Sequence, residues 1–423
     1  MDRVLFITYF WPPSGKASLH WPLYIIKHLP DFGWEPAVLT VDKDSFSHRD
    51  ESLLHDVSPG LTVVRTRANE PFDIYRRFLG KKPDAPLVAS EAISKENRDI
   101  RHRISVWIRM NLFVPDARIG WYLSAVGGGK KLLGKEKFDA IVSIGPPHSV
   151  HLIGRTLGKK TGLPHIPVFI DPWVDIVYYR GFKRNPMALA LDRHFEKSVL
   201  QNAALSVFVT RSMMDDYVHK YPWLGEKSRV LYWGYNEESF VGFGSGRRTG
   251  DSRVILHAGN IFDYQNPEPL WRNVAAKVSA GERIRLKFVG TVGPKIIKSI
   301  EEHGLSPFTE YLGFLEYEGM IRQLEAADYL LVCATEKRHV PGKLFEYMRS
   351  GRRIIAFGDD NEEVAAMLRE GKSGSLFPYD YPGGDILEKV DECRPDIDAS
   401  KKYSRQRIAQ ELSRLLLDAS SSS

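Results

Sequence analysis

The 423-residue chain contains only two cysteines, Cys333 and Cys393. Two thiols exclude a disulfide framework and a four-cysteine zinc site, and they fit a reducing compartment. The sequence also lacks any apolar run of the roughly 18 to 20 residues that span a bilayer, so we expect no integral membrane protein. Residues 1–9 are too short and too aromatic an apolar segment for a signal peptide, and we expect a cytoplasmic protein.

The composition is that of an ordinary globular protein. Hydrophobic residues make up 43% and charged residues 26% of the chain, and a length of 423 residues predicts two domains. The net charge of +6 and the pI near 9.0 suit anionic lipid, phosphate-bearing substrates or nucleic acid, and they do not decide among these partners.

Apolar runs of strand length alternate with helix-length segments in two series. The first series comprises residues 4–9, 35–40, 61–65, 140–144, 165–170, 206–210 and 230–232. The second comprises residues 254–258, 285–289, 309–312, 329–333 and 354–357. Such alternation predicts an α/β fold with two parallel sheets, each covered by helices on both faces.

The break between the two series lies at residues 241–251, which hold four glycines and show no apolar periodicity. We therefore predict an amino-terminal domain at residues 1–240, this linker, and a carboxyl-terminal domain at residues 252–400. Residues 401–417 have helical spacing and are expected to pack back on the first domain, ahead of a disordered tail at residues 418–423.

Residues 70–120 interrupt the alternation with a basic segment in which side chains such as Trp107 and Phe113 lie between arginines and lysines. This pattern is typical of a contact with an anionic membrane surface, and it also fits a domain insertion with a solvated charged face. Both interpretations stay open. No nucleic-acid-binding motif accompanies the charge, so we expect no nucleic-acid partner.

The most informative segment is His-Val-Pro-Gly-Lys-Leu-Phe-Glu-Tyr-Met at residues 339–348, between strand patterns at residues 327–333 and 351–357. A strand, turn, helix and strand form a βαβ unit, in which ligands bind at the carboxyl ends of strands and the helix start attracts anions. Lys343 adds a cation, and Glu346 can accept hydrogen bonds from hydroxyl groups. A solvated Lys–Glu pair on the helix surface is the alternative interpretation.

Five further motifs accompany this segment in a characteristic order, at residues 9–15, 32–40, 114–121, 145–151 and 170–173. With them the chain resembles, nearly end to end, the bacterial retaining glycosyltransferases of the two-Rossmann-domain (GT-B) type, family 4-like. The resemblance implies two Rossmann-like doubly wound parallel-sheet domains that face a cleft. It implies a nucleotide-sugar donor on the carboxyl-terminal domain, an acceptor on the amino-terminal domain, retention of configuration, and no cofactor or metal.

The resemblance also implies which residues carry the chemistry. Lys343, Glu346 and His148 are expected to be catalytic, with Lys343 near the leaving phosphate, Glu346 near ribose hydroxyls and His148 near the donor sugar. A histidine that packs on its own helix is the alternative for His148. The expected donor-binding residues are Gly15, Gly259, Asn260, Phe314, Leu315, Arg338, Val340, Pro341, Gly342 and Leu344.

Gly15 and Gly259 are expected to let the backbone approach a phosphate or sugar, and residues 311–315 to wrap the nucleobase. The expected acceptor-binding residues are Lys16, Asp116, Arg118, Trp121 and Asp171. Among these, Lys16 supplies charge to a phosphorylated acceptor, and Asp116 with Arg118 forms a salt bridge that shapes the acceptor loop. A plain turn is the alternative for Asp171.

The chain departs from the family pattern in two places. Many relatives carry an arginine and a lysine just after the glycine equivalent to Gly259, whereas this chain reads Phe-Asp-Tyr-Gln-Asn-Pro at residues 262–267. The first glutamate of the family's carboxylate pair falls on Arg338, and main-chain N–H groups of residues 340–342 can replace it.

These features predict a cytoplasmic glycosyltransferase that transfers a sugar to a glycan or lipid-linked acceptor in bacterial surface polysaccharide assembly. Peripheral contact with the inner face of the cytoplasmic membrane is expected through residues 70–120. Two alternatives remain, a catalytically silent nucleotide- or glycan-binding subunit and a nucleotide-sugar epimerase of similar build.

Overall fold

The computed structural model describes residues 1–46, 48–68, 107–108, 110–176, 184–244, 251–334 and 336–421. The chain divides into two compact units, Met1–Tyr232 with Ile408–Ser423, and Trp233–Arg407. The division falls ahead of the linker expected at residues 241–251. Most of the basic segment expected to contact membrane lies outside the described residues, namely residues 70–106 and 109.

The first unit contains a parallel sheet of seven strands in the order β3-β2-β1-β4-β5-β6-β7. Its strands are β1 (Asp2–Thr8), β2 (Trp34–Val41), β3 (Thr62–Thr66), β4 (Ala140–Gly145), β5 (His165–Phe169), β6 (Ser206–Phe208) and β7 (Ser228–Val230). The α-helices before the division are α1 (His20–His28), α2 (Tyr122–Leu133), α3 (Ser149–Thr161), α4 (Pro186–Gln201) and α5 (Arg211–Lys220).

The central strands of this sheet are buried on both faces. Every residue of β4 is buried, and residues 4–8 of β1 are buried in sequence, as expected for strands covered by helices on two sides. One apolar core packs Leu5, Leu39 and Trp121 with residues of α3, and a second packs Phe169 and Trp173 with residues of α4 and α5. Continuous apolar runs in the sequence therefore become the interior strands.

The second unit contains a parallel sheet of six strands in the order β10-β9-β8-β11-β12-β13. Its strands are β8 (Arg253–Ala258), β9 (Ile284–Val289), β10 (Thr309–Gly313), β11 (Tyr329–Cys333), β12 (Arg353–Phe357) and β13 (Gly374–Phe377). Its helices are α6 (Glu268–Ser279), α7 (Pro294–Glu302), α8 (Tyr317–Ala326), α9 (Lys343–Ser350), α10 (Glu362–Glu370), α11 (Ile386–Asp391) and α12 (Ile397–Ser400). A last helix, α13 (Arg405–Ser421), begins at the end of this unit.

The expected α/β class and the two parallel sheets are confirmed. Strand β13 was not expected, because Gly374-Ser375-Leu376-Phe377 carries only two large apolar residues. Gly374 is required there because a Cβ would collide with the carbonyl oxygen of Ile354 on the neighbouring strand. Among the described residues, no helix has the length and apolar character needed to cross a membrane.

The strand order of the second unit fixes where a ligand can bind. The chain builds the sheet outward from β8 through β9 to β10, and then returns to place β11 on the other side of β8. Helices that follow β8 and β11 therefore leave the sheet in opposite directions. In open α/β sheets, ligands bind at the carboxyl ends of strands at such a switch point.

Candidate functional site

At the carboxyl end of β8, two glycines bring backbone segments into direct contact. Gly259 has φ +106° and Gly290 has φ +98°, conformations that residues with a Cβ rarely adopt. A Cβ on Gly290 would lie 2.9 Å from the carbonyl oxygen of Gly259. The Gly259 N–H donates to Val289 O at 2.8 Å, and the neighbouring Asn260 accepts from Thr291 N–H at 3.0 Å through Oδ1. The backbone segments that follow β8 and β9 are therefore closely packed and hydrogen-bonded to each other.

Lys343 is the first residue of α9, and its side chain extends to Gly259 at the carboxyl end of β8. Its Nζ lies 3.0 Å from Nε2 of His257, and a Cβ on Gly259 would lie only 2.9 Å from the same Nζ. The sequence predicts that Gly259 leaves space for a ligand. The structure shows a second reason for this glycine: the absence of a side chain makes room for the Lys343 ammonium. Burial lowers the pKa of Lys343 to about 8.

The hydrogen bonds of His257 define its tautomer. Nδ1 lies 2.9 Å from the carbonyl oxygen of Leu331, which only accepts, so Nδ1 carries the proton. Nε2 then presents a lone pair to Lys343, which donates to it at 3.0 Å, while the Asn260 carbonyl oxygen lies 3.5 Å from the same nitrogen. Burial, followed by the nearby Lys343 charge, holds the pKa of His257 well below its usual value, so the ring is neutral at physiological pH.

Glu346 lies three residues after Lys343 on α9, so both side chains emerge on neighbouring turns of one face. Its Oε1 accepts a hydrogen bond from the Tyr317 hydroxyl at 2.8 Å. Burial raises the pKa of Glu346, and this is opposed by the Tyr317 hydrogen bond and by the charges of Arg405 and Lys343. The expected cation and carboxylate therefore form a partly enclosed pair, unlike the solvated surface pair of the alternative interpretation.

The turn before α9 is held by a residue that sequence reasoning missed. Asn361 is almost fully buried, and its Nδ2 donates to Glu336 O at 3.0 Å and to His339 O at 2.9 Å. Its Oδ1 accepts from Val364 N–H at 3.1 Å and thereby caps α10. An asparagine ahead of an apolar helical pattern signals a cap, but its contact with residues 336–339 depends on the tertiary fold.

Several residues expected to bind a donor have buried side chains. Val340, Pro341 and Leu344 are buried, so any ligand contact by them would involve the main chain. Gly342 packs against Trp233, since a Cβ there would lie 2.9 Å from the indole Nε1. Arg338 is half-buried in the same turn.

The loop expected to wrap a nucleobase follows β10. Gly313 ends this strand with φ +65°, and its carbonyl oxygen accepts from Gly290 N–H at 2.6 Å. Phe314 is 89% exposed, while Leu315 is half-buried. Tyr311 stacks on Phe288 with 5.5 Å between ring centroids. The exposed Phe314 ring, next to a fixed backbone, offers a planar apolar face.

The segment after Gly259, residues 262–267, contains two aromatic residues and no lysine or arginine. Phe262 and Tyr264 are both exposed, and their rings stack at 5.7 Å with 12° between planes. Gln265 fixes their loop, because its Oε1 accepts from Phe262 N–H and its Nε2 donates to Cys333 O. Lys343, on the helix that follows β11, is the cation that lies against Gly259.

In the first unit, His148 lies at the start of α3 and is buried. Its ring stacks on Trp173 with 5.1 Å between centroids and 7° between planes. Burial lowers the pKa of His148 to about 3. The neutral imidazole is held parallel to the indole in a fixed orientation. This arrangement fits a residue that contacts the donor sugar, and it equally fits a histidine that only packs on its own helix.

His148 belongs to a buried histidine cluster with His151 and His165. Ser143 Oγ lies 2.8 Å from His151 Nδ1 and 2.7 Å from His165 Nε2. A hydroxyl has one proton and can accept two hydrogen bonds, so at most one of these ring nitrogens accepts and at least one donates. Burial is the largest cause of the lowered pKa in all three rings, to about 3 for His165.

Two acidic residues on α4 hold the segment after β5, and sequence reasoning missed both. Asp192 Oδ1 accepts from Trp173 Nε1 at 2.7 Å, and Asp192 Oδ2 pairs with Arg184 at 2.8 Å. Glu196 Oε2 accepts from Val174 N–H at 3.2 Å. Both carboxylates are almost fully buried. The sequence signal that could have identified them is their four-residue spacing, which places both on one face of a helix.

The residues expected to bind the acceptor occupy different environments. Asp116 accepts from Ser149 N–H at 2.8 Å and from Ser149 Oγ at 3.0 Å, so it stabilises the start of α3. Arg118 lies 4.9 Å above the Tyr9 ring. Trp121 is fully buried in the core of the first unit and donates to Thr66 Oγ1 at 2.8 Å.

Gly15 and Lys16 follow β1. The Gly15 N–H donates to His48 O at 3.0 Å, and a Cβ on Gly15 would collide with the His48 imidazole, so this chain's own side chain fills the space expected for a ligand. Lys16 is half-buried. Asp171, after β5, is half-buried as well, and burial raises its pKa to about 6. Within the described ranges, no group of three or more potential ligands is placed to hold a metal ion.

Comparisons with known proteins agree with this architecture. Residues 252–392 match the family model of Glycosyl transferases group 1. Three solved structures resemble the full chain in fold. Sucrose-phosphate synthase from Thermosynechococcus elongatus is 15% identical, with a TM-score of 0.63 and 100% of both chains covered. A glycosyltransferase from Rickettsia africae is 11% identical, with a TM-score of 0.63 and 100% of this chain and 99% of that chain covered.

The third structure is Anabaena HepE in complex with UDP and glucose, 12% identical with a TM-score of 0.56, over 100% of this chain and 98% of that chain. At these identities the likeness shows the fold. No curated protein matches the chain significantly in sequence.

Proposed function

We propose a specific activity for this chain, because residues 252–392 match the family model of Glycosyl transferases group 1 and the chain has the GT-B fold. The protein transfers a sugar from a nucleoside diphosphate sugar to a glycan or a lipid-linked acceptor, with retention of configuration. The second unit binds the donor and the first unit binds the acceptor.

The observation that carries the proposal is the position of Lys343. Its ammonium lies at the carboxyl end of β8, against Gly259 and at the start of α9. Departure of a sugar from a nucleoside diphosphate leaves negative charge on the β-phosphate, and fixed cations and helix-start N–H dipoles stabilise that charge. A lysine with one N–H donated to His257 keeps two N–H groups for phosphate oxygens.

Other residues of the second unit complete a donor site in this proposal. Glu346, oriented by Tyr317, accepts hydrogen bonds from the ribose hydroxyls. The exposed Phe314 ring and the backbone of residues 311–315 contact the base. His148 contacts the donor sugar, and its fixed ring on Trp173 supports this role.

The acceptor and the cellular setting rest on the family resemblance. We propose Lys16, Arg118 and Asp171 as acceptor contacts, and bacterial surface polysaccharide assembly at the cytoplasmic face of the membrane as the process. The neutral cluster around His148 adds no charge to this part of the protein at physiological pH.

Thermal unfolding in the presence of UDP, GDP, dTDP and CMP tests the donor site, because a ligand that binds only the folded state raises the melting temperature. UDP is the first choice, since HepE was solved with UDP. We expect one nucleoside diphosphate to raise the melting temperature, and Glu346→Gln to reduce that shift. No shift with any of the four would contradict the proposal and favour the silent-subunit alternative.

Product analysis with the matching nucleotide sugar then separates the enzyme alternatives. A transferase releases the nucleoside diphosphate only when the sugar moves to an acceptor or to water. Conversion of the sugar into its epimer would favour the epimerase alternative instead.

A further inference from the structure

We propose that His257 is the positioning residue for Lys343, holding the ammonium with a neutral lone pair so that its full positive charge remains available to the donor diphosphate. This inference rests on the proposed function, because it assigns a role within the same donor site. His257 lies in β8, and 86 residues separate it from Lys343 in sequence.

The geometry makes His257 a hydrogen-bond acceptor for Lys343. Its ring is buried, and Nδ1 lies 2.9 Å from Leu331 O on the neighbouring strand β11. Nε2 lies 3.0 Å from Lys343 Nζ, which is nearer than the Asn260 carbonyl oxygen at 3.5 Å. On its other side the Nζ is limited by Gly259, whose missing Cβ would lie 2.9 Å away. The ammonium is thus held between the ring and the backbone.

The charges that face Lys343 explain why a neutral partner matters. His257 on β8, Cys333 on β11, His339 in the preceding turn and Glu346 on α9 all interact electrostatically with it. Burial raises the pKa of Cys333 to about 12 and lowers that of His339 to about 4, so both are neutral at pH 7. Glu346 is thus the acidic member of this group.

A carboxylate at residue 257 would also hold the ammonium, but it would cancel the charge that a diphosphate needs. A neutral imidazole fixes the position and leaves the charge intact. This distinction is important here because residues 262–267 lack the arginine and lysine that many relatives use. Lys343 is the cation that lies against Gly259 in the described part of the second unit.

Three substitutions separate positioning from charge. His257→Leu removes the acceptor, His257→Gln restores an acceptor oxygen at a similar reach, and His257→Glu supplies a charged acceptor. The first measurement is competitive acetylation of lysines as a function of pH, read for the Lys343 peptide by mass spectrometry. The exposed Lys298 serves as internal control. The second is calorimetric titration with UDP at pH 7, and near-ultraviolet circular dichroism checks folding.

We expect His257→Leu to lower the apparent pKa of Lys343 by about one unit and to weaken UDP binding about tenfold, the effect of losing one hydrogen bond to a charged group. His257→Gln should restore most of both. His257→Glu should raise the pKa of Lys343 and still weaken UDP binding.

Unchanged Lys343 labelling in folded His257→Leu protein would overturn the inference, and so would tighter UDP binding by His257→Glu. The labelling does not depend on a ligand, so the two proposals can fail separately. Absence of nucleotide binding in the native protein, together with the labelling shift, would remove the proposed function and leave the His257–Lys343 pair supported.

Discussion

Replacing Lys343 by methionine is expected to stabilise the fold while it weakens nucleoside diphosphate binding. Lys343 is half-buried, and desolvation lowers the pKa of its ammonium from 10.5 to about 8, so the folded protein holds this charge at a cost. Methionine has a similar length and no charge, so it can occupy the same space. A residue that costs stability and remains in the sequence is expected to serve binding or catalysis.

The magnitude follows from the pKa difference of about 2.5 units between 10.5 and about 8, which corresponds to about 3.4 kcal/mol. Against this, the lone pair of buried His257 loses its partner, which costs about 1 to 3 kcal/mol. The expected net effect at pH 7 is a stabilisation of roughly 1 to 2 kcal/mol.

The pH dependence has a definite sign. Between pH 8 and 10.5 the unfolded state binds more protons at this lysine than the folded state, so the native protein gains stability as pH rises. The methionine variant lacks this gain. Its advantage over the native protein should therefore be largest at pH 7 and should disappear by about pH 10.

Urea unfolding at pH 7 and pH 10 measures the stability difference, and calorimetric titration measures UDP affinity. Loss of a charge-assisted hydrogen bond should weaken UDP binding about 10- to 100-fold. Lys298→Met is the matched control, because Lys298 is 75% exposed on α7 and should change neither quantity appreciably. A methionine variant less stable than the native protein at pH 7, or one that binds UDP equally well, would refute the reasoning.

Three further predictions concern other parts of the structure. Gly259→Ala and Gly281→Ala both place a Cβ at positive φ and should each cost about 1 to 2 kcal/mol in urea unfolding. Only Gly259→Ala should also weaken UDP binding, since the Cβ of Gly281 meets no neighbour; equal binding by both variants would contradict the contact with Lys343. Asn361→Ala should cost about 2 to 3 kcal/mol by removing a helix cap and two buried hydrogen bonds, and an effect below 0.5 kcal/mol would contradict that role. The buried histidine cluster has lowered pKa values, so the unfolded state binds more protons below pH 6.5 and each ring should remove about 2 kcal/mol of stability between pH 7 and pH 5. Urea midpoints that stay constant over that range would show that the rings are not neutral in the fold.

Much of the architecture was accessible from the sequence because buried parallel strands are continuous apolar runs. The expected strand at residues 329–333 coincides with β11, and the other expected strands lie within a few residues of the observed ones. Lys343 and Glu346 were also accessible, since a turn into a helix between two strands fixes their local position.

Contacts between distant elements were not accessible in the same way. The roles of Gly15 and Gly259 depend on His48 and Lys343, whose proximity follows from the strand order and from loop conformations. In the sequence pattern, His257 looks like any other residue of a buried strand. Its lone pair becomes meaningful only when β8 and β11 are neighbours, and apolar periodicity carries no information on strand order.

The central claim, that Lys343 binds the diphosphate of a nucleotide-sugar donor, is tested most directly by a crystal structure of the full chain with UDP. We predict a β-phosphate oxygen about 3 Å from Lys343 Nζ, ribose hydroxyls on Glu346, and the base beside Phe314. A diphosphate bound elsewhere, with the ammonium of Lys343 still in contact only with His257, would contradict it.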